Sequence, residues 1–127
     1  MKKLLSIFAS VSLIVLPAVA TNINIDKGIS IISVTPQDNG KLVTVKAYDD
    51  DNTMSESYKQ TVSHELSYYG IKCNSKEIIY YGYKLYNPEN VLIKEFNLPP
   101  AFNSWVKIDD NDQSLKFGHI IYNKVCQ

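Results

Sequence analysis

The sequence predicts an α+β domain in which an antiparallel β-sheet of about five or six strands is packed by a C-terminal α-helix and closed by one disulfide. Short runs of β-branched and aromatic residues, separated by turn residues, indicate the strands. A change to helical spacing near the C-terminus indicates the helix. Two cysteines, Cys73 and Cys126, in a chain with a predicted export signal indicate the disulfide.

The first twenty residues have the features of a secretory signal peptide. Lys2 and Lys3 precede an apolar run of thirteen residues, and small residues occupy positions 18 and 20, as a signal peptidase requires. The apolar run is shorter than the roughly 20 residues that a membrane-spanning helix needs. We therefore predict cleavage after Ala20, which leaves a single domain over residues 21–127.

The predicted mature chain should be exported, with no stable membrane anchor. No cysteine lies near the predicted cleavage site to carry a lipid, so we expect a periplasmic, cell-surface or secreted protein of a Gram-negative bacterium. The chain has 13 lysines, no arginine and 13 acidic residues, and removal of Lys2 and Lys3 makes it slightly acidic. Because the lysines are spread singly along the sequence, we expect that no part of the chain collects positive charge and that nucleic acid is not a partner. No sequence motif predicts a cofactor.

Residues 29–34 and 41–48 predict a β-hairpin. Both runs are rich in β-branched residues, and Asn39-Gly40 between them can adopt the positive φ angles of a tight turn. Apolar and mixed residues alternate in the second run, so one face of this sheet should cover a core.

Three further strands follow an exposed loop. They are predicted at residues 66–73, 77–85 and 91–96. The loop, residues 49–60, has no apolar period and is expected to form at most a helical turn after Thr53. Gly70 and Gly82 fall inside strands, where glycine usually marks a bulge or a close approach of two backbone segments.

A terminal helix is predicted over residues 112–125. Pro99 and Pro100 end the strand region, because proline donates no ladder hydrogen bond. The residues expected on the inward stripe of the helix are Leu115, His119, Tyr122 and Cys126.

Cys73 and Cys126 have three readings, namely a disulfide, free thiols, or metal ligands together with His64 and His119. Their spacing matches no zinc motif. Export favours oxidation, so the disulfide is the leading interpretation. In the entropic model, closing a loop of this length stabilises a fold by roughly 4 kcal/mol.

The second half of the chain also resembles a known family. The features that carry the resemblance are a strand cysteine with a basic and tyrosine-rich sequel (residues 71–76 and 80–86), a tight turn at 87–90, Trp105 with Ile108, and a closing helix that ends in Lys124-Val125-Cys126. On these features residues 64–126 resemble the surface-adhesin protein E-like family of small exported Gram-negative proteins. The resemblance implies an antiparallel sheet packed by a C-terminal helix, bonded cysteines, and attachment to host extracellular matrix proteins.

The candidate catalytic and metal-binding residues each have a simpler explanation. Ser63 and His64 are adjacent in a predicted strand and should point to opposite faces, so His64 is expected at an exposed polar edge. His119 is expected to be packed in the core. The acidic segments 49–52 and 109–112 lack the glycine and glutamate positions of an EF-hand, so we predict no metal site and no enzyme.

The nine tyrosines are the most informative functional feature. Those in the predicted strand 77–85 and just after it are Tyr80, Tyr81, Tyr83 and Tyr86. Strict alternation would place Tyr81 and Tyr83 on one face and Tyr80 on the other. Tyrosine favours strands in general, but it is also enriched in protein interfaces.

These observations give three hypotheses for function. The first is a non-enzymatic, adhesin-like protein that binds a partner through a tyrosine-rich sheet face or an open edge strand. The partner would be a host matrix protein, an envelope component or a second copy of the chain. The second is a small-ligand-binding or inhibitory module with a pocket between helix and sheet around Trp105 and Phe117. The third is a hydrolase without a recognisable motif.

Overall fold

The computed structural model describes residues 19–109, 111 and 116–127. Most of the predicted signal peptide lies outside the described residues, so cleavage after Ala20 stays a prediction. The elements in chain order are β1 (Val19–Asp26), β2 (Ile29–Gln37), β3 (Gly40–Tyr48), α1 (Thr53–Tyr58), β4 (His64–Lys72), β5 (Glu77–Tyr86), β6 (Leu92–Asn97), a 3-10 turn (Pro100–Phe102), β7 (Val106–Lys107) and α2 (Lys116–Val125).

The strands form one antiparallel sheet in which neighbours in sequence are neighbours in space from β1 to β6. Short turns make this order possible, and Gly28, Asn39 and Asn90 adopt positive φ angles in three of them. The far edge of β5 is shared, because β6 pairs with residues 82–86 and β7 pairs with residues 77 and 78. The residues between these two paired segments of β5 therefore have neither β6 nor β7 as a strand partner.

The predicted α+β class, the hairpin and the three later strands are confirmed, but the sheet has seven strands. The additional ones are β1 and the two-residue β7. In β1 the residues alternate between asparagine and isoleucine directly after the predicted cleavage site, so a strand that begins at Val19 overlaps the end of the predicted signal. The expected helical turn after Thr53 is present as α1.

One face of the sheet carries the core, and we call it the helix face. Its central buried residues are Ile31, Val43, Val45, Ile71 and Ile78. Val43 and Val45 alternate along β3, as the predicted pattern requires. Ile121 and Val125 of α2 belong to the same cluster, so the helix covers this part of the sheet.

The opposite face, which we call the open face, carries the alternate residues of the same strands. The direct cross-strand neighbours Lys46, Leu66 and Lys84 form one of its rows. Both described helices contact the helix face, α2 through the core cluster and α1 through Tyr58, whose hydroxyl lies 3.0 Å from that of Tyr83.

The predicted inward stripe of the terminal helix is confirmed only in part, because Tyr122 and Cys126 pack against the core cluster but the fully buried residues differ from those predicted. The buried residues of α2 are Gly118, Ile121 and Val125, whereas His119 is half-buried at the side. A methyl group at Gly118 would lie 3.2 Å from Cδ1 of Ile78, so the missing side chain lets the helix approach β5 on this side. Residues 112–115, which include Leu115 of the predicted stripe, lie outside the described residues.

The disulfide between Cys73 and Cys126 is confirmed, with Cα atoms 5.5 Å apart. Cys73 directly follows β4 and Cys126 directly follows α2, so the bond joins the helix terminus to the sheet. Two hydrogen bonds reinforce the same corner: Nζ of Lys41 donates to the Val125 carbonyl at 2.5 Å, and the Tyr122 hydroxyl donates to the Cys73 carbonyl at 3.2 Å.

Candidate functional site

A β-bulge in β5 determines where the predicted tyrosines lie. Tyr68 of β4 is paired with Gly82, and the next residue, Tyr69, is paired with Tyr80. Tyr81 is therefore an extra residue with no partner of its own in this ladder. Beyond a bulge the alternation of side chains is shifted by one position, so the simple period of two fails here.

The bulge separates the four predicted tyrosines into two pairs. Tyr80 and Tyr83 lie on the helix face, whereas Tyr81 and Tyr86 lie on the open face. The prediction that Tyr81 and Tyr83 share a face is wrong, because it assumed unbroken alternation.

Gly82 makes the bulge possible. Its φ angle of 142° lies in a region that side chains disfavour, and a Cβ atom here would collide with the carbonyl oxygen of Phe96 on β6. The predicted close approach at Gly82 is confirmed.

Trp105 packs on the open face, where it lies over Gly70. A Cβ atom at Gly70 would be 2.8 Å from the indole ring, so this glycine provides the space for the tryptophan. Nζ of Lys72 lies 4.3 Å from the centre of the same ring. Trp105 is consequently on the opposite side of the sheet from α2, and it does not line the pocket beside Phe117 that is described below.

The open face brings together lysines that are dispersed in the sequence. On β3 to β7 it carries four lysines and two glutamates, namely Lys46, Lys72, Lys84, Lys107, Glu77 and Glu95. Three of the lysines lie over aromatic rings: Lys46 over Tyr48, Lys72 over Trp105 and Lys84 over Tyr68. The expectation that no part of the chain collects positive charge therefore fails for this face.

A shallow depression of about 360 Å³ lies among these side chains. Its walls are Gln37, Leu42, Tyr68, Tyr81, Lys84, Glu95 and Asn97. Lys84 and Glu95 approach each other to 4.0 Å across its rim, so the contact between these exposed side chains is weak. Burial raises the pKa of Tyr68, so its hydroxyl stays protonated at neutral pH.

His64 is buried and not at an exposed edge, which corrects the prediction from sequence. Its ring stacks on Tyr86 with centroids 5.1 Å apart and meets Tyr48 edge-on at 6.1 Å. β4 begins at His64, so Ser63 is outside the strand, and its Oγ lies 3.1 Å from Nδ1 of His64. The expected separation of these two side chains is therefore also wrong.

A second tyrosine group lies on the helix face around Glu65. Ser67 donates a hydrogen bond of 3.1 Å to the Glu65 carboxylate, and burial raises the pKa of that carboxyl group. Burial also raises the pKa values of Tyr69 and Tyr80 to about 12. The hydrogen bond between the Tyr58 and Tyr83 hydroxyls raises the pKa of Tyr83 to about 12, because it stabilises the protonated hydroxyl of Tyr83.

A cavity of about 400 Å³ lies beside this group, between the beginning of α2 and the edge of β5. Phe117 lines it, as the second sequence hypothesis expects for a pocket between helix and sheet. The other lining residues are Tyr69, Ile78, Ile79, Tyr80, Leu98, Phe102, Asn103, Ser104, Val106 and Gly118.

The two acidic segments have local structural roles where the structure describes them. The Asp49 carboxylate accepts hydrogen bonds from the Ser55 backbone at 3.2 Å and from the Ser55 hydroxyl at 3.0 Å, which holds the start of α1. The Asp109 carboxylate accepts one from the Asn111 backbone. Within the described residues, no three His, Cys, Asp or Glu side chains are grouped to hold a metal ion.

No protein-family model, curated protein or solved structure matches the chain. None of the helices in the described ranges is long and apolar enough to cross a membrane.

Proposed function

We propose that this protein is a non-catalytic, exported binding domain whose open face binds an acidic surface of a partner protein. The observation that carries the proposal is the lysine and aromatic composition of that face. Its rings include Tyr48, Tyr68, Tyr81, Tyr86 and Trp105, and Tyr48 is 51% exposed in the absence of a partner.

Aromatic rings supply large contact area at a low cost in conformational entropy, and tyrosine and tryptophan are enriched where proteins bind each other. The lysines determine which partner is favoured. Lys46 and Lys84 are two strands apart in one row, about 10 Å by sheet geometry. Because the lysines outnumber the glutamates on this face, an acidic partner surface is electrostatically complementary to it. The partners expected from sequence, a host matrix protein or an envelope component, are the first to test.

The test is capture by immobilised mature protein from nuclease-treated envelope fractions and from purified matrix proteins. The wild type is compared with the double variant Lys46→Glu/Lys84→Glu and with Tyr81→Ala. The matched controls are Lys27→Glu in the turn after β1, and Tyr83→Phe on the helix face. We expect the wild type and both controls to retain the same acidic protein, and both open-face variants to lose it.

Two results would overturn the proposal. One is that every protein retained by the wild type is retained equally by Lys46→Glu/Lys84→Glu. The other is that added DNA displaces the captured material completely while an acidic protein does not, because a nucleic-acid surface would then be the better description. Circular dichroism of Tyr81→Ala shows whether loss of capture comes from loss of fold.

A further inference from the structure

A cavity lies at the edge of β5, apart from the depression on the open face. It lies where the sheet edge changes partner: β7 pairs with β5 at residues 77 and 78, and β6 pairs from residue 82 onward. Between them the chain makes a detour through the 3-10 turn, held by a hydrogen bond of 2.9 Å from the Leu98 backbone to the Tyr81 carbonyl. The detour and the first turn of α2 wall off the space that neither strand fills.

The walls of the cavity are mainly apolar and aromatic. Tyr69 is 5.2 Å from Tyr80 and 5.8 Å from Phe117 between ring centres, so three rings form a continuous wall. None of the described lining residues carries a charge. Besides the tyrosine hydroxyls, the polar side chains among the described lining residues are those of Asn103 and Ser104.

The exposure of Phe102, together with the apolar lining of the cavity, points to a ligand. Phe102 lines the cavity, yet 78% of its surface is exposed, which is the largest exposure among the large apolar residues that the structure describes. A phenylalanine ring in this position contributes little to folding, because most of its apolar surface remains in water. A molecule in the cavity would cover the ring.

From this geometry we infer that the cavity binds a neutral small molecule with an apolar, ring-containing body and a polar group directed toward Asn103 and Ser104. The volume is at the lower end of the range of about 300–1,000 Å³ that is typical of ligand pockets. A charged ligand is disfavoured, because its charge would lose water without gaining an opposite charge. Tyr69 and Tyr80 remain neutral at ordinary pH, since their pKa values are about 12.

Two dyes with the same ring skeleton test this inference. N-phenyl-1-naphthylamine is neutral, and its sulfonated relative ANS is anionic. Each is titrated into the mature, oxidised protein, and binding is followed by the rise in dye fluorescence. We expect saturable binding of the neutral dye and binding of ANS that is weaker by about tenfold or more.

Val106→Phe is the blocking variant, because Val106 lines the cavity and is 45% exposed, which leaves room for a larger side chain without repacking the core. Val91→Phe is its matched control, at a 58% exposed valine before β6. Ser104→Phe is a second blocking variant that does not alter a strand residue. We expect both blocking variants to weaken the binding of the neutral dye by about tenfold or more, and the control variant to bind this dye as the wild type does.

Several outcomes would overturn the inference. Neutral-dye binding that is unchanged in both blocking variants would place the dye elsewhere on the protein. ANS binding as tight as that of the neutral dye would contradict the neutral-ligand assignment, and a linear titration would mean that there is no site. None of these measurements involves the open face, so the outcome is independent of partner capture.

Discussion

His64 is enclosed by aromatic rings on a sheet face that also carries lysines, and this environment determines its protonation. Burial between Tyr48 and Tyr86 disfavours the charged imidazolium. Burial, followed by the positive charge of Lys46, lowers the pKa of His64 below its usual 6.5. The imidazole that contacts the Ser63 hydroxyl is therefore neutral at physiological pH. A serine and a histidine without a third orienting group or a described oxyanion site do not suffice to assign a hydrolase.

We expect His64→Phe to reduce the loss of stability of the protein in mild acid. A histidine whose folded-state pKa is depressed contributes stability above its unfolded pKa of about 6.5, and this stability is lost as pH falls through the folded-state pKa. Phenylalanine preserves a ring between Tyr48 and Tyr86 but cannot take up a proton. Urea denaturation of wild type and variant at pH 7.5 and at pH 5 measures the effect.

The relevant quantity is the difference in unfolding free energy between wild type and variant at each pH, because other groups titrate in both proteins. That difference should move in favour of the variant as pH falls. If it were the same at both pH values, His64 would not be the group that responds. His119→Phe in α2 is the control, since it removes the other of the two histidines in the chain.

At the scale of elements, the bulge in β5 places its tyrosines on the two opposite faces of the sheet. The backbone conformation of Gly82 makes this bulge possible. Gly82→Ala should destabilise the fold by about 2 kcal/mol or more, because it adds backbone strain at a positive φ angle and a collision with the Phe96 carbonyl. The midpoint of urea denaturation measures this, with Lys84→Ala as a control in the same strand. If Gly82→Ala lowered the free energy of unfolding by no more than Lys84→Ala does, β5 would be able to accommodate the added methyl group without strain.

The bulge also marks the limit of what the sequence could predict. The period of two in β3 and the turn at Asn39-Gly40 correctly predicted a hairpin with one apolar face. The same rule misplaced Tyr81, because a bulge shifts alternation by one residue and depends on the contact of Gly82 with the neighbouring strand β6, which the pattern within β5 does not show. A glycine inside the predicted strand indicated an irregularity, but it did not indicate which neighbouring side chains would change face.

The orientation of α2 was predicted only in part, for a related reason. Polarity around the helix placed His119 inward, whereas the space left by Gly118 allowed Ile121 and Val125 to face the core. The cavity beside Phe117 lies between segments that are distant in sequence, so its walls could not be listed from local patterns. Phe117 itself was found because an aromatic residue on a terminal helix is expected against the sheet.

At the scale of the whole molecule, the disulfide and two hydrogen bonds join the end of α2 to the sheet at one corner. The described part of α2 has ten residues, and a helical segment of this length is marginal by itself in water. Its stability therefore depends on the apolar contacts with the helix face and on the covalent bond to Cys73. The wall of the ligand cavity depends on the same attachment, because Phe117 and Gly118 belong to α2.

Removing the disulfide should lower the unfolding free energy by about 4 kcal/mol, from the loop-closure entropy of 53 residues of separation. For a small domain with a total of about 5–15 kcal/mol, this is a large share. The double variant Cys73→Ala/Cys126→Ala tests it by urea denaturation, and alkylation followed by intact-mass analysis first confirms that both sulfurs of the native protein are protected.

Lys41→Met, which removes only the hydrogen bond to the Val125 carbonyl at the same corner, should lower the unfolding free energy by about 1–3 kcal/mol. If the double cysteine variant lost no more than Lys41→Met, the covalent bond would not be the main fastening of the helix, and the apolar contacts of Ile121 and Val125 would have to hold it.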